Sequence, residues 1–263
     1  MIRALTIAGS DSGAGAGIQA DLKTFSALGV YASTVITAVT AQNSLGVFGV
    51  QDINPEMVKG QLEAVLSDIG ADAVKIGMLS SAESIGFVAE ILRRYRVEKV
   101  VLDPVITTST GFMLISSGAI GALTQKLLPL AGIVTPNIPE AEILTKTTIK
   151  DIEAMKRAAR ALFEMGVKNV LVKGGHLSGR AVDVFYDGSY HLLEAERIDT
   201  DNTHGTGCTL SSAIAAYLAR GLGMLPAVTK AKEYITGAIR HSFKVGQGPG
   251  PVNHFFDTWD KTI

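Results

Sequence analysis

Short β-branched apolar runs alternate with amphipathic helical stretches along almost the whole chain, and this alternation constrains the fold most strongly. Successive parallel strands need a crossover between them, usually a helix. Strands are expected at residues 3–9, 33–40, 73–77, 99–103, 132–135 and 169–172. Helices are expected at 21–28, 55–70, 82–95, 116–128, 152–164, 206–220 and 226–245. In the second of these, Val58, Leu62, Val65, Leu66 and Ile69 fall at helical spacing, with Pro55 suited to the first turn and Gly70 to the stop. Ile152, Met155, Ala159, Leu162 and Phe163 share one face in the same way. Residues 181–195 read as a hairpin turning at Asp187-Gly188. The pattern predicts an α/β fold, a central mostly parallel sheet with helices on both faces. No linker, low-complexity stretch, charge block or repeat divides the chain, so residues 1–263 read as one domain.

Composition narrows the function classes. Hydrophobic residues make up 47% of the 263, enough for a sizeable core, and the formal net charge is −1. Such a chain has no basic field to attract nucleic acid or an anionic membrane. Any phosphate must therefore be held by local geometry. One cysteine excludes an intrachain disulfide and a Cys-rich zinc site. His176, His191, His204, His241 and His254 show no metal-ligand spacing. The first apolar run is too short for a signal peptide, and no run reaches membrane-spanning length, so a cytoplasmic location is expected.

Ligands of open α/β sheets bind beyond the carboxyl ends of the strands. Polar clusters follow the expected strands there: Gly9-Ser10-Asp11, Gln42-Asn43, Gly77-Met78, Asp103-Pro104, Pro136-Asn137 and Lys173-Gly174-Gly175-His176. The octet Asn202 to Thr209 (Asn-Thr-His-Gly-Thr-Gly-Cys-Thr) runs straight into a helix. Its glycines leave backbone N–H groups free to face an anion, backed by the helix dipole. Gly205, Thr206, Gly207 and Cys208 are thus candidates to hold charge on a transferring phosphoryl group. An ordinary Gly-rich helix start with a small buried Cys is the alternative.

The other motifs are individually ambiguous. Gly15-Ala-Gly17-Ile-Gln-Ala20 formally matches a dinucleotide fingerprint, but no acid follows about 20 residues on to hold a ribose. Asp21 can face a substrate or cap its own helix. Gln42 offers an acceptor and two donors, matching a heterocycle with a ring nitrogen beside an amino group, or it is a solvated loop residue. Asp103 and Glu140, with Asn137, can hold Mg²⁺ directly or through its waters, while Asn137 and Glu140 also resemble a capping box. Lys173 can reach a nucleotide phosphate as a point charge or lie on the surface. There is no G-x-x-x-x-G-K-[ST] loop.

Together, residues 8–23 (Ala-Gly-Ser-Asp-Ser-Gly-Ala-Gly-Ala-Gly-Ile-Gln-Ala-Asp-Leu-Lys), 40–43 (Thr-Ala-Gln-Asn), 103–105 (Asp-Pro-Val), 135–142 (Thr-Pro-Asn-Ile-Pro-Glu-Ala-Glu), 172–176 (Val-Lys-Gly-Gly-His) and 203–209 (Thr-His-Gly-Thr-Gly-Cys-Thr) resemble the ribokinase-like superfamily. The chain is most similar to its hydroxymethylpyrimidine/phosphomethylpyrimidine kinases of the ThiD type, in matching order over nearly its whole length. The resemblance implies ATP and Mg²⁺ as cofactors and, as in many members, a homodimer. It implies that Gln42 reads an aminopyrimidine, with Gly9, Asp21 and Met78 around the same pocket. It places Asn137 and Glu140 on the Mg²⁺–phosphate side with Asp103 nearby, and Lys173, Thr203, His204 and Gly205 along the nucleotide phosphates.

Two departures stand out. Cys208 occupies the position where most sugar kinases of the superfamily carry an aspartate base. A free thiol titrates near about 8.5, lower at a helix N-terminus, so Cys208 is a candidate base. Many relatives have a Lys shortly before the Gly of the loop after Asp103, and here Ile106-Thr-Thr-Ser-Thr110 precedes Gly111 without one. Residues 109–117 are a candidate lid. The implied activity is ATP-dependent phosphorylation of 4-amino-5-hydroxymethyl-2-methylpyrimidine and then of its monophosphate, in thiamine biosynthesis. The rivals are a pyridoxal kinase of the same superfamily and a pyrimidine-binding protein without turnover.

Overall fold

A computed structural model of the chain describes residues 1–107, 114–175, 177 and 179–258. The strands are β1 (Arg3–Asp11), β2 (Tyr31–Asn43), β3 (Gly46–Asp52), β4 (Ala73–Ile76), β5 (Val100–Leu102), β6 (Ile133–Val134), β7 (Val170–Val172), β8 (Ala181–Tyr186) and β9 (Tyr190–Ala195). The helices are α1 (Gly17–Ala27), α2 (Pro55–Ala64), α3 (Ala82–Arg94), α4 (Ser117–Ala122), α5 (Ile138–Thr145), α6 (Ile152–Glu164), α7 (Thr206–Ala219) and α8 (Met224–Arg240). Among the described residues the strands form one sheet in the order β3-β2-β1-β4-β5-β6-β7-β8-β9. Pairing is parallel from β2 through β7 and antiparallel at the two margins, β2 with β3 at one and β7 with β8 and β8 with β9 at the other.

The strands alternate between two cores, as side chains of a pleated strand must. Leu5, Ile7, Val74, Ile76, Val100, Leu102, Val170 and Val172 face one layer, built by α2 to α6. Ala4, Ala73, Val101 and Leu171 face the other, built by α1, α7 and α8. On that second face Thr6 and Lys75 keep the parity of Ala4 and Ala73, so a lysine points into the core. Helix α7 packs against β1, β4 and β5 between α1 and α8, and Thr209 to Ala216 are buried without interruption. A helix covered on all sides keeps a fixed N-terminus, and this one opens at the carboxyl ends of the central strands.

Two elements were not foreseen. Strand β3 is a short, exposed edge that pairs with the far end of β2, and α5 follows the capping box at Asn137. The expected helices at 55–70 and 116–128 each end in a wider turn, at Val65–Ile69 and Leu123–Leu127. Helix α1 begins at Gly17, earlier than periodicity indicates, because Gly17 takes a φ of 58° that opens the turn. Among the described residues no helix is long and apolar enough to cross a membrane.

Candidate functional site

Gly205 caps α7 in the left-handed region, at φ 82° and ψ 6°. A side chain there would meet the Gly15 carbonyl oxygen at 1.8 Å, so the octet is pressed against the glycine loop after β1. The first helical acceptor is the Gly205 carbonyl, taken by the Thr209 amide at 2.9 Å. The Gly207 and Cys208 amides precede that bond and lack a helical acceptor. The Thr206 amide already points to the Thr203 carbonyl at 3.3 Å, so the cradle rests on Gly207 and Cys208 more than on Thr206. A Cβ on Gly207 would lie 3.3 Å from Lys173 Nζ and 3.7 Å from Asp103 Oδ2. Three sequence motifs, from β5, β7 and α7, therefore meet at one point.

Asp103, just past β5, is 2% exposed. Its Oδ1 accepts from Lys173 Nζ at 2.8 Å and Thr135 Oγ1 at 3.1 Å, and its Oδ2 accepts from Ser211 Oγ of α7 at 3.3 Å. Burial opposes its ionisation, but Lys173 and Lys75 outweigh burial and hold the carboxyl below its usual range. Burial likewise opposes the Lys173 ammonium, and Asp103 and Glu140 hold it above its ordinary value. The capping box of α5 is present: Asn137 Oδ1 accepts from the Glu140 amide and Glu140 Oε2 accepts from the Asn137 amide, both at 2.8 Å. Burial raises Glu140 to about 7, with the Asp103 charge adding to it and Lys173 opposing.

A second buried ion pair lies beneath the cradle. Lys75 Nζ bridges both carboxylate oxygens of Asp21, at 3.0 and 2.9 Å, and both side chains are fully inaccessible. Thr6 Oγ1 and Ser212 Oγ each donate to Asp21 at 2.6 Å. Asp21 therefore neither caps α1 nor lies on the pocket wall; its oxygens are spent holding Lys75 and α7. Lys75 was missed in the sequence, where one lysine in a β run reads as solvent-facing. Its signal was its position in the core-side register of β4.

Cys208 corrects a further expectation. A helix N-terminus lowers a thiol, yet burial dominates here and pushes Cys208 up to about 11, with Asp21 and Asp103 adding to the effect and Lys75 and the Gly17 amide only partly offsetting it. Part of the residue stays accessible, and the Asp21 and Asp103 charges both oppose a thiolate. Burial and these charges work against the ionised sulfur that a base role would use.

The opposite wall comes from β1 and β2. A Cβ on Gly9 would sit 3.0 Å from Met78 Sδ, so these two residues are neighbours as expected. Bulges interrupt the ladder at Gly9 in β1 and between Ala41 and Gln42, re-aiming both strand ends toward the cleft. Asp11, not singled out by itself in the sequence, organises the glycine loop. Its Oδ1 accepts from the Gly13 amide at 2.8 Å; its Oδ2 accepts from the Gly15 and Ala16 amides at 3.1 and 2.8 Å. Its signal was an Asp followed by glycines, the usual setting of an Asx turn. His204 Nε2 meets Asp11 Oδ2 at 2.9 Å and Gln42 Nε2 at 3.4 Å, which ties the octet to the β1–β2 side. Thr203 is exposed at the rim. His176, Gly111 and most of the expected lid lie outside the described residues.

Among the described residues no group of three His, Cys, Asp or Glu side chains is placed to hold a metal ion. The oxygens of Asp103 and Glu140 are engaged by Lys173, Thr135, Ser211 and the Asn137 amide. The donor set thus fits a hydrated cation carried by phosphates, held through water, and not direct ligation by all three candidates.

A mostly parallel sheet with antiparallel margins, with the α7 N-terminus over its central strand ends, is the architecture of the ribokinase-like class of phosphotransferases. The comparisons go further. The family model described as Phosphomethylpyrimidine kinase matches residues 11–253. The hydroxymethylpyrimidine/phosphomethylpyrimidine kinase of Rhizobium meliloti is 53% identical over 261 residues, covering 97% of this chain and 98% of that protein. The thiamine biosynthesis bifunctional protein ThiED of Geobacter sulfurreducens is 54% identical over 258 residues, and the match spans 97% of this chain but only 53% of that longer protein. The solved ADP complex of Bacillus subtilis pyridoxal kinase is 39% identical with a TM-score of 0.92, covering 99% of this chain and 100% of that one. The chain belongs to the phosphomethylpyrimidine kinase family.

Proposed function

We propose that the protein transfers the terminal phosphoryl group of ATP to the hydroxymethyl oxygen of 4-amino-5-hydroxymethyl-2-methylpyrimidine, and then extends the monophosphate to the diphosphate in the same cleft. The observation that carries this reading is the meeting of the Gly207 backbone with Lys173 and Asp103 at the α7 N-terminus. Amides and an ammonium fixed at that point oppose charge on the transferring group without reorganising as it moves. Asp103 keeps the Lys173 ammonium aimed at the gap, and Ser211 ties that carboxylate to α7.

Mg²⁺ bound with the nucleotide would neutralise phosphate charge, and Glu140 and Asp103 would hold its waters. The Gln42 carboxamide would pair with the amino group and adjacent ring nitrogen of the pyrimidine, with Gly9 and Met78 against its flat face. A loose transition state asks little of a base, which suits a protonated Cys208. The same reading carries a homodimer. Strand β3 is an unpaired edge, and Leu45, Phe48 and Val50 on its hairpin are 57%, 70% and 37% exposed. Sedimentation would show it as a species of twice the chain mass.

A second reading is pyridoxal phosphorylation, favoured by the TM-score of 0.92 to a pyridoxal kinase. ATP consumption measured side by side with the hydroxymethylpyrimidine, its monophosphate and pyridoxal separates the two. The primary reading expects turnover with both pyrimidines. Turnover with pyridoxal alone would transfer the assignment, and binding without ADP formation would remove enzyme function.

A further inference from the structure

His204 sits where a nucleotide-phosphate contact was expected, yet its ring is committed elsewhere, and its bonding has a consequence for Gln42. Asp11 is ionised: burial opposes this, but His204 and the Ala16 and Gly13 amides hold its carboxyl below the usual range. An ionised carboxylate only accepts. The 2.9 Å contact to Asp11 Oδ2 therefore puts a proton on His204 Nε2. That nitrogen cannot also accept from Gln42 Nε2 at 3.4 Å, where two donors would face each other.

The other side of Gln42 accommodates the exchange. The Thr40 hydroxyl donates its one proton to the Ser10 carbonyl at 3.0 Å or to Gln42 Oε1 at 3.2 Å, and with the proton on Ser10 it accepts from a carboxamide N–H. Oxygen and nitrogen of a carboxamide are told apart only through their partners. Exchanging them removes the donor–donor conflict at His204 and keeps Thr40 partnered. Oε1 then accepts from His204 Nε2, whose proton it shares with Asp11, and Nε2 donates to Thr40 Oγ1.

We infer that His204, anchored by Asp11, is a positioning residue that together with Thr40 fixes the Gln42 carboxamide with its oxygen on the His204 side, and so sets the donor–acceptor order read on the substrate ring. The remaining lone pair and N–H lie along the free edge of the amide. That edge places the exocyclic amino group near His204 and the ring nitrogen near Thr40. A 4-oxo analogue, which presents a carbonyl and a ring N–H, needs the reversed amide and is rejected. This inference rests on the proposed role of Gln42 in reading the pyrimidine.

The test is the ratio of kcat/KM for the 4-amino substrate to that for its 4-oxo analogue, in the wild type and in His204→Leu, His204→Gln and Thr40→Val. Losing one hydrogen bond that fixes the amide should lower the ratio about tenfold in His204→Leu and in Thr40→Val. His204→Gln, which can restore an N–H, should return toward the wild-type ratio, and KM for ATP should stay within about twofold throughout. A general loss of packing would lower both substrates together and leave the ratio alone. A wild-type ratio in either His204→Leu or Thr40→Val overturns the inference, and Thr40→Val decides it if the His204 variant does not fold. Absence of pyrimidine turnover in the wild type would instead sink the functional reading beneath it.

Discussion

The two buried lysine–aspartate pairs beneath α7 have the same chemistry and different surroundings. Asp21–Lys75 is sealed, with both side chains at 0% exposure and every carboxylate contact internal. Asp103–Lys173 leaves the lysine side chain 14% exposed, with its ammonium beside Gly207. Each pair holds α7 through a serine, Ser212 in one case and Ser211 in the other. A sealed ion pair fixes architecture, and one open to the cleft is free to meet an anion. Burial and access, more than residue type, divide structure from chemistry here.

The comparison breaks most visibly at the cradle itself. Gly207→Val should fill the gap in front of Lys173 and cut turnover by about 10²–10³-fold, since one transition-state donor is worth that much. Steady-state kinetics with the thermal midpoint alongside would check it, and near-normal turnover would remove the cradle from the reaction. The two lysines should then separate by turnover. Lys173→Met should lower kcat by about 10²-fold, and it also destabilises the fold, because it leaves the buried Asp103 carboxylate without its lysine. Lys75→Met strands a buried carboxylate and should cost about 3–5 kcal/mol, read as the urea midpoint. If both variants lost stability equally and kept kcat, the distinction would fail.

A milder effect sharpens the sealed side. Replacing both charges, Asp21→Asn with Lys75→Met, should be less destabilising than Lys75→Met alone, because no charge is left unpaired. Urea titration of the single and double variants gives the coupling directly.

The smallest expected effect concerns His254, which holds α7 at Thr209 Oγ1 at 3.0 Å. Burial, with the Lys23 charge adding to it, lowers His254 to about 4 from 6.5. The fold therefore disfavours the charged ring: this stability is complete above pH 6.5 and is lost as pH falls toward 4. His254→Gln should flatten the fall in urea midpoint over that window, and an unchanged acid slope would show that His254 is not its source.

Much of the frame was legible in the residues. The alternation of patterns gave the sheet and its helices, Asp187-Gly188 marked the β8–β9 hairpin, and Asn137 with Glu140 announced the start of α5 although its helix went unassigned. Strand β3 escaped because it is an exposed edge with Gly46 and Gly49, and only its pairing with β2 makes it a strand. The start of α7 at Thr206, capped by Gly205, was readable because a helix start shows in local sequence. Lys75, Asp11 and the turn of His204 were not, because each depends on partners far along the chain: Asp21, the glycine loop, and Gln42. The direction of the Cys208 shift was not legible, since the helix terminus was visible in sequence but the burial and the Asp21 and Asp103 charges were not.

If the amides of Gly207 and Cys208, with Lys173, receive the phosphoryl group in flight, a crystal structure with a non-hydrolysable ATP analogue and the hydroxymethylpyrimidine should show it. The terminal phosphate is expected within hydrogen-bonding distance of those amides and of Lys173 Nζ, with the hydroxymethyl oxygen on its far side. A terminal phosphate bound elsewhere, with the α7 start unoccupied beside a correctly seated pyrimidine, would contradict it.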